Sequence, residues 1–281
     1  STVARRPKRT KPLTKILAIT NQKGGVGKTT TSVNLAASLA AMKRRVLLID
    51  LDPQGNATMG SGVDKHDVEY SVYDVLLGHV EVEQAAIPAA ETGFKLLPAN
   101  GDLTGAEIEL LSADGKEFRL QRALEPVAKD YDFVIVDCPP SLNMLTVNAL
   151  VASQGVIIPM QCEYYALEGL AALLDTISQI QAVNPQLQIE GLLRTMYDAR
   201  NSLTNDVSAQ LHEHFGDKVY RTVIPRNVRL AEAPSHGLPV MLYDKASKGA
   251  MAYLALAGEM LRRDDKKAQQ TASTATESVE S

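Results

Sequence analysis

Residues 15–31 read Lys-Ile-Leu-Ala-Ile-Thr-Asn-Gln-Lys-Gly-Gly-Val-Gly-Lys-Thr-Thr-Thr. The apolar run 16–19 has the length and character of a strand buried on both faces. A glycine-rich turn follows. After Gly27-Lys28-Thr29-Thr30, the apolar residues Val33, Leu35, Ala36 and Leu39 fall at helical spacing. Strand, glycine loop and helix together make a phosphate cradle. The glycines let backbone N–H groups point inward, the helix N-terminus adds partial positive charge, and Lys28 adds a full one. Thr29 supplies a hydroxyl where a magnesium ion bridging β- and γ-phosphates would sit.

Downstream, Val46-Leu47-Leu48-Ile49-Asp50 is a continuous apolar run ending in acid, as a central parallel strand reads. Leu51-Asp52-Pro53-Gln54-Gly55-Asn56 follows it. In parallel α/β sheets ligands sit beyond the carboxyl ends of the strands, so Asp50 and Asp52 fall beside the glycine loop. Two carboxylates there would repel a triphosphate unless magnesium, lysine or a polarised water intervened. The segment 131–137 repeats the pattern, with Phe133-Val134-Ile135-Val136 running into Asp137 and then Cys138-Pro139-Pro140. A carboxylate at such a strand end holds magnesium directly or through water. The prolines end the strand, and Ser141 is placed to cap a helix over 142–151. With no histidine nearby in sequence, Cys138 reads as a small core residue.

The usual phosphate-loop pattern is G-x-x-x-x-G-K-[ST], whose first glycine would fall at position 22. That position is Gln22, and Lys23 stands at the front edge of the loop. This deviant form resembles that of the ParA/MinD superfamily. The resemblance to ParA/Soj chromosome-partitioning ATPases covers nearly all of 15–260. It is carried by K-G-G-V-G-K-T-T-T, L-I-D-L-D-P-Q-G-N, V-I-V-D-C-P-P and I-P-R-N-V-R-L-A-E-A-P. It implies an α/β fold: a single P-loop NTPase-type domain over 15–261 with a mostly parallel twisted sheet and helices on both faces.

The same resemblance implies ATP and Mg2+ as cofactors. ATP would be held by Lys23, Gly24, Gly25, Val26, Gly27, Lys28, Thr29 and Thr30, with Pro225 and Asn227 near the adenine. Thr29, Asp50 and Asp137 would belong to the metal shell. Asp52 would orient the attacking water, and Lys23 and Lys28 would complete the catalytic set. Two copies would face each other across ATP, with Lys23 of each reaching the other's phosphates as an arginine finger does elsewhere. Arg200 and Arg229 match positions that contact DNA in the family. The implied partners are non-specific double-stranded DNA, a second copy of the chain bound in an ATP-dependent homodimer, and a ParB-type centromere-binding protein that stimulates a slow intrinsic hydrolysis. The implied location is cytoplasmic and nucleoid-associated.

The 281 residues, 45% of them hydrophobic, suit one large α/β core. No apolar run approaches the ~18 residues of a membrane span. Two cysteines, Cys138 and Cys162, lack the spacing of a metal or redox pair. The formal charge of −4 hides an asymmetry: residues 1–15 carry six basic and no acidic side chains, whereas 16–261 carry 19 basic against 29 acidic. Within that acidic core, 194–248 has eight basic and six acidic residues, so a polyanion would have to be met there or on the basic segment. Residues 1–14 read as a disordered basic arm, either solvated or touching DNA, and 262–281 as a disordered polar tail.

Between the motifs, the pattern predicts helices over 70–77, 103–111, 118–128 (with Pro126 near the end), 170–180, 205–215 and 249–261. It predicts strands over 94–98, 156–160, 189–196 and 219–224. His212, His214 and His236 form no metal pattern.

Two alternatives share the deviant loop. A MinD-like membrane-positioning ATPase would need a basic amphipathic helix with large apolar side chains, which 262–281 does not provide. A reductase like the nitrogenase iron protein would need cysteines from two subunits around an iron–sulfur cluster, and Cys138 and Cys162 are poor candidates. A transcription-repressing plasmid regulator is disfavoured because no DNA-reading domain precedes residue 15.

Overall fold

The apolar runs that end in aspartate lie side by side at the centre of one sheet. The structure, a computed structural model, describes residues 13–277. Its strands are β1 (Lys15–Ile19), β2 (Val46–Asp50), β3 (Ile87–Pro88), β4 (Lys95–Leu97), β5 (Phe133–Asp137), β6 (Gly155–Gln161) and β7 (Gln188–Thr195). They form one sheet in the order β3-β4-β2-β5-β1-β6-β7, parallel throughout except for the antiparallel edge strand β3.

The helices are α1 (Lys28–Ala41), α2 (Asn56–Gly60), α3 (Val72–Leu76), α4 (Val82–Ala85), α5 (Leu103–Leu111) and α6 (Arg119–Leu124). They continue as α7 (Met144–Ala152), α8 (Ala166–Ile180), α9 (Ser202–Phe215), α10 (Val228–Glu232), α11 (Val240–Tyr243) and α12 (Lys248–Glu277). Because side chains alternate along a strand, the sheet feeds two cores. Leu17, Ile19 and Leu48 pack with Leu35 and Leu39 of α1 and with Tyr253, Leu256 and Met260 of α12. Ile16, Ala18, Leu47 and Ile49 pack on the other face with α3, α5, α7 and α8, through Val75, Leu110, Leu145 and Leu173 among others. The α/β fold with helices on both faces is thus as the motifs implied.

Three local expectations change, and one short strand, β3, was not expected. The helix over 142–151 begins at Met144, and its cap is Asn143 rather than Ser141. The Asn143 side chain accepts from Leu145 N at 3.1 Å and Thr146 N at 3.2 Å, which an asparagine directly before the first turn does best. The segment 219–224 is not a strand. It meets β7 at the Val219–Leu192 bridge and through Tyr220 N to Leu192 O at 3.0 Å and Ile224 N to Arg194 O at 2.9 Å. It forms no ladder, because between these Arg221 N and Thr222 N donate to the Glu259 carboxylate at 2.8 and 2.9 Å. The edge strand β3 has only two residues, too few to show a period.

The segment 262–281, expected to be disordered, is helical as far as Glu277. Arg263 donates to Val219 O at 3.0 Å, Asp264 pairs with Lys15 at 2.6 Å, and Lys267 lies 3.8 Å from Glu190. Polar composition forbids burial but not helix, and Ala, Gln, Lys and Arg are good helix formers. The basic arm lies outside the described residues apart from Leu13 and Thr14. Thr14 is tied down, its hydroxyl donating to Ala128 O and Tyr131 O.

Candidate functional site

Three strand ends meet at one point. Asp137 stands opposite Ile19 across the β1–β5 pair and opposite Asp50 across the β2–β5 pair. From β1 the chain turns through 20–27 into α1. Asn21 Nδ2 donates to Pro159 O and Gln22 Nε2 to Gly169 O, each at 2.9 Å, and Thr195 Oγ1 donates to Val26 O at 2.8 Å. Gly25 and Gly27 have φ values of +72° and +84°, where a side chain would be strained. A Cβ added at Gly24 or Gly25 would meet nothing within 4 Å, so the loop faces open space. No side chain caps α1. Its first N–H groups are left to an anionic ligand.

The polar side chains of the loop converge on Asp137. Thr29 Oγ1 donates to Asp137 Oδ2 at 2.9 Å and Ser32 Oγ donates to Asp137 Oδ1 at 2.7 Å. Lys28, only 7% exposed, donates to Lys23 O at 2.9 Å. Burial lowers the Lys28 ammonium from its ordinary value, against the opposing pull of Asp137, Cys138 and Asp52. Burial, and then the charge of Asp50, raises the Asp137 carboxyl, with the Ser32 and Thr29 hydroxyls opposing. A cation placed there would reverse that balance. This set of an uncapped helix start, a lysine, a hydroxyl and a buried carboxylate suits a magnesium–phosphate group.

Asp50 is fully buried beside this cluster but turned elsewhere. Its Oδ2 accepts from Thr58 N at 2.9 Å and Thr58 Oγ1 at 2.7 Å, and its Oδ1 accepts from Asp52 N at 3.0 Å. Burial raises its carboxyl, and the Thr58 and Asp52 donors partly offset the rise. Asp52 is partly exposed at the turn; its Oδ1 accepts from Gln54 N at 3.0 Å, and its Oδ2 accepts nothing among the described residues. Lys23 pairs with Glu163, on the connection from β6 to α8, with both side chains about half exposed. Cys138 is buried, and burial pushes its thiol up, as a core residue would have it.

A cavity of 360 Å³ opens beside the end of the loop, lined by Gly27, Thr30, Thr195, Met196, Pro225, Asn227 and Tyr253 among others. That size suits a nucleoside. Pro225 and Asn227, which the family resemblance puts near the adenine, both line this cavity. Arg200 and Arg229 line neither the loop nor this cavity. Arg200 is exposed and pairs with Asp198 at 2.9 Å; Arg229 pairs with Glu232 at 2.9 Å and Asp244 at 3.1 Å. The Arg200 hydrogen bonds hold Asp198 down at about 2.

A family model described as an AAA domain matches residues 14–189. The sporulation initiation inhibitor protein Soj of Bacillus subtilis is 57% identical over 247 residues, covering 88% of this chain and 98% of that one. The chain belongs to the ParA/Soj family of ATPases. An uncharacterized protein of Pseudomonas putida is 69% identical over 252 residues, covering 89% of this chain and 96% of its own. Among solved structures, one described as cobyrinic acid a,c-diamide synthase from Mycobacterium smegmatis with bound ADP and magnesium superimposes with a TM-score of 0.79. It is 43% identical and covers 90% of this chain and 96% of its own.

Several side chains of this ParA/Soj chain were not singled out from sequence. Ser32 lies four residues past Lys28, one helical turn, and that spacing alone could have put it beneath the loop. Thr195 and Gln22 fasten the loop to β7 and to α8. Tyr253 lines the cavity and meets Thr31 Oγ1 at 3.0 Å. Those contacts join segments far apart in sequence and carry no local signature.

Proposed function

We propose that this ParA/Soj chain is a DNA-partitioning ATPase whose ATP-bound sandwich dimer holds DNA non-specifically and lets go on hydrolysis. The observation that carries the reading is the pair of lysines on the loop, one inside the cradle and one at its mouth. Lys28 donates across the loop to Lys23 O, where it would meet phosphate oxygens. Lys23, half exposed, points its ammonium to the surface at Glu163. A lysine in that position is free to exchange Glu163 for a phosphate of a second copy.

ATP lies with its nucleoside in the cavity of Pro225 and Asn227 and its phosphates on the loop. Thr29 and Asp137 would hold magnesium, which neutralises the phosphate oxygens. Asp52, with one carboxylate oxygen unclaimed, orients the attacking water. Closing two copies on ATP brings together two surfaces that bear Arg200 and Arg229. Phosphate contacts add in log affinity, so two weak patches become one usable site. A ParB-type protein accelerates the slow intrinsic step, and the molecule works in the cytoplasm on the nucleoid.

The test is DNA retention with ATP, with ADP and with neither, over a salt series, alongside sedimentation of the same samples. The expected result is a dimer and salt-sensitive retention with ATP only. Equal assembly and equal retention in all three would refute the reading.

A further inference from the structure

We propose that Thr58 is a positioning residue for ATP hydrolysis: its hydroxyl clamps the Asp50 carboxylate, which in turn fixes the backbone of Asp52. The proposal rests on the reading that Asp52 orients the attacking water.

Thr58 sits on α2, just past the turn that carries Asp52, and is fully buried. Its hydroxyl donates to Asp50 Oδ2 at 2.7 Å and accepts from Ala99 N at 3.0 Å. Its own N–H donates to the same Asp50 oxygen at 2.9 Å. The other oxygen of Asp50 accepts from Asp52 N at 3.0 Å. One side chain therefore ties together the end of β2, the helix after the turn and the segment beyond β4. Both hydrogen-bonding capacities of the hydroxyl are used, and both partners are buried.

The turn is also anchored on either side of Asp52: Leu51 N donates to Asp137 O at 2.9 Å and Lys65 Nζ donates to Gln54 O at 2.6 Å, but neither bond reaches Asp52 itself. Gly55 precedes α2 at a φ of +67°, and α2 has no side-chain cap. Gly55 N donates to Asp52 O at 2.9 Å and Gln54 N to Asp52 Oδ1 at 3.0 Å, both bonds within the turn. These keep the turn's shape without fixing where it sits. Among the described residues, Asp52 itself is tied to the sheet through its N–H to Asp50 Oδ1, and the other oxygen of Asp50 is held by Thr58. Asp50 thus acts behind Asp52, with both oxygens taken by protein donors.

Valine fills the space of threonine but leaves Ala99 N–H without an acceptor and Asp50 with one donor fewer. A displacement of the turn by about 1 Å is enough to cost roughly 10²-fold in rate when it moves a group that positions a reactant. The hydrogen bonds of Thr58 go to Asp50 and Ala99 rather than to the loop or Lys28, and Thr58 does not line the nucleoside cavity, so those parts keep their geometry.

The experiment compares steady-state ATP hydrolysis, ATP affinity and ATP-dependent dimerisation for wild type, T58V, T58S and D52A, with folding checked by circular dichroism. The expected result is that T58V loses at least about tenfold in kcat while KM and ATP affinity stay within about threefold and the ATP-bound dimer persists. T58S, which keeps the hydroxyl, should turn over within about threefold of wild type. T58V turning over normally while D52A is inactive would overturn the inference and leave the reading of Asp52 standing. Loss of ATP binding in both T58V and T58S would reduce Thr58 to a folding role and also overturn it. Normal turnover in D52A would sink the reading itself.

Discussion

Replacing Lys28 by methionine separates what this side chain does for the fold from what it does for a ligand. The lysine stem is buried, with the residue 7% exposed, and methionine keeps an apolar stem of similar length. Removing the ammonium frees Lys23 O from its 2.9 Å donor, at a cost of about 1 kcal/mol for one hydrogen bond. Against this, burial opposes the Lys28 charge, and that penalty disappears with it. The two effects oppose each other, so without nucleotide the melting temperature should move by no more than about 2–4 °C.

Nucleotide affinity has no such compensation. A charge-assisted hydrogen bond is worth about 1.5–3 kcal/mol, and a lysine reaching two phosphates makes about two of them. The loss is then about 3–6 kcal/mol, or roughly 10²- to 10⁴-fold in Kd. Asp137 and Asp52, whose charges Lys28 offsets, would deepen it by repulsion. Titration calorimetry with ATP and magnesium measures the first quantity and thermal melting the second. An ATP affinity within about threefold of wild type, in a variant that melts normally, would remove Lys28 from the phosphate site.

Lys23→Ala should bind ATP as wild type does yet stay monomeric in sedimentation with ATP; a normal ATP-dependent dimer would rule out the cross-subunit contact. Arg229→Glu should keep the dimer and lose DNA retention, and unchanged retention across the salt series would place the nucleic-acid surface elsewhere. Glu259→Gln puts an amide where two part-buried N–H groups, Arg221 N and Thr222 N, now donate to a carboxylate. One of them meets a donor instead of an acceptor, so chemical denaturation should report a loss of about 1–3 kcal/mol, and no loss would mean that segment is held by other contacts.

The carboxylate pair gives a pH dependence without magnesium or nucleotide. Burial raises Asp50 to about 6 and Asp137 to about 8, both above the ordinary value of 3.8. The native state then keeps protons that the unfolded chain has released, so stability falls as pH rises through that range. Melting from about pH 5.5 to about pH 8.5 should show the decline and Asp137→Asn should flatten it, whereas a rising profile in wild type would contradict the sign.

The parts of the site that were legible in sequence are those built from contiguous residues. The strand, glycine loop and Lys28-Thr29-Thr30 of the cradle are adjacent in the chain, and their chemistry follows from spacing. The two acidic strand ends, Asp50 and Asp137, were also legible, because a buried parallel strand is a continuous apolar run that stops where the sheet meets its ligand edge. The helix over 103–111 came from the same kind of local pattern, whereas Pro225 and Asn227 were picked out only by the family resemblance.

Tertiary structure decided which way those groups face and what else holds them. Asp50 and Asp137 look alike in sequence, each an aspartate after an apolar run. One turns to Thr58 and the other to Thr29 and Ser32. The segment 219–224 has the composition of a strand, but a glutamate nearly forty residues later takes two of its N–H groups. The helix through Glu277 has no apolar stripe to announce it beyond residue 261, yet its next turns are pinned by Lys15, Val219 and Glu190. Periodicity records which residues of one element are buried. It carries no record of a partner on another element, because a hydrogen bond or ion pair depends on where two distant backbones come to rest.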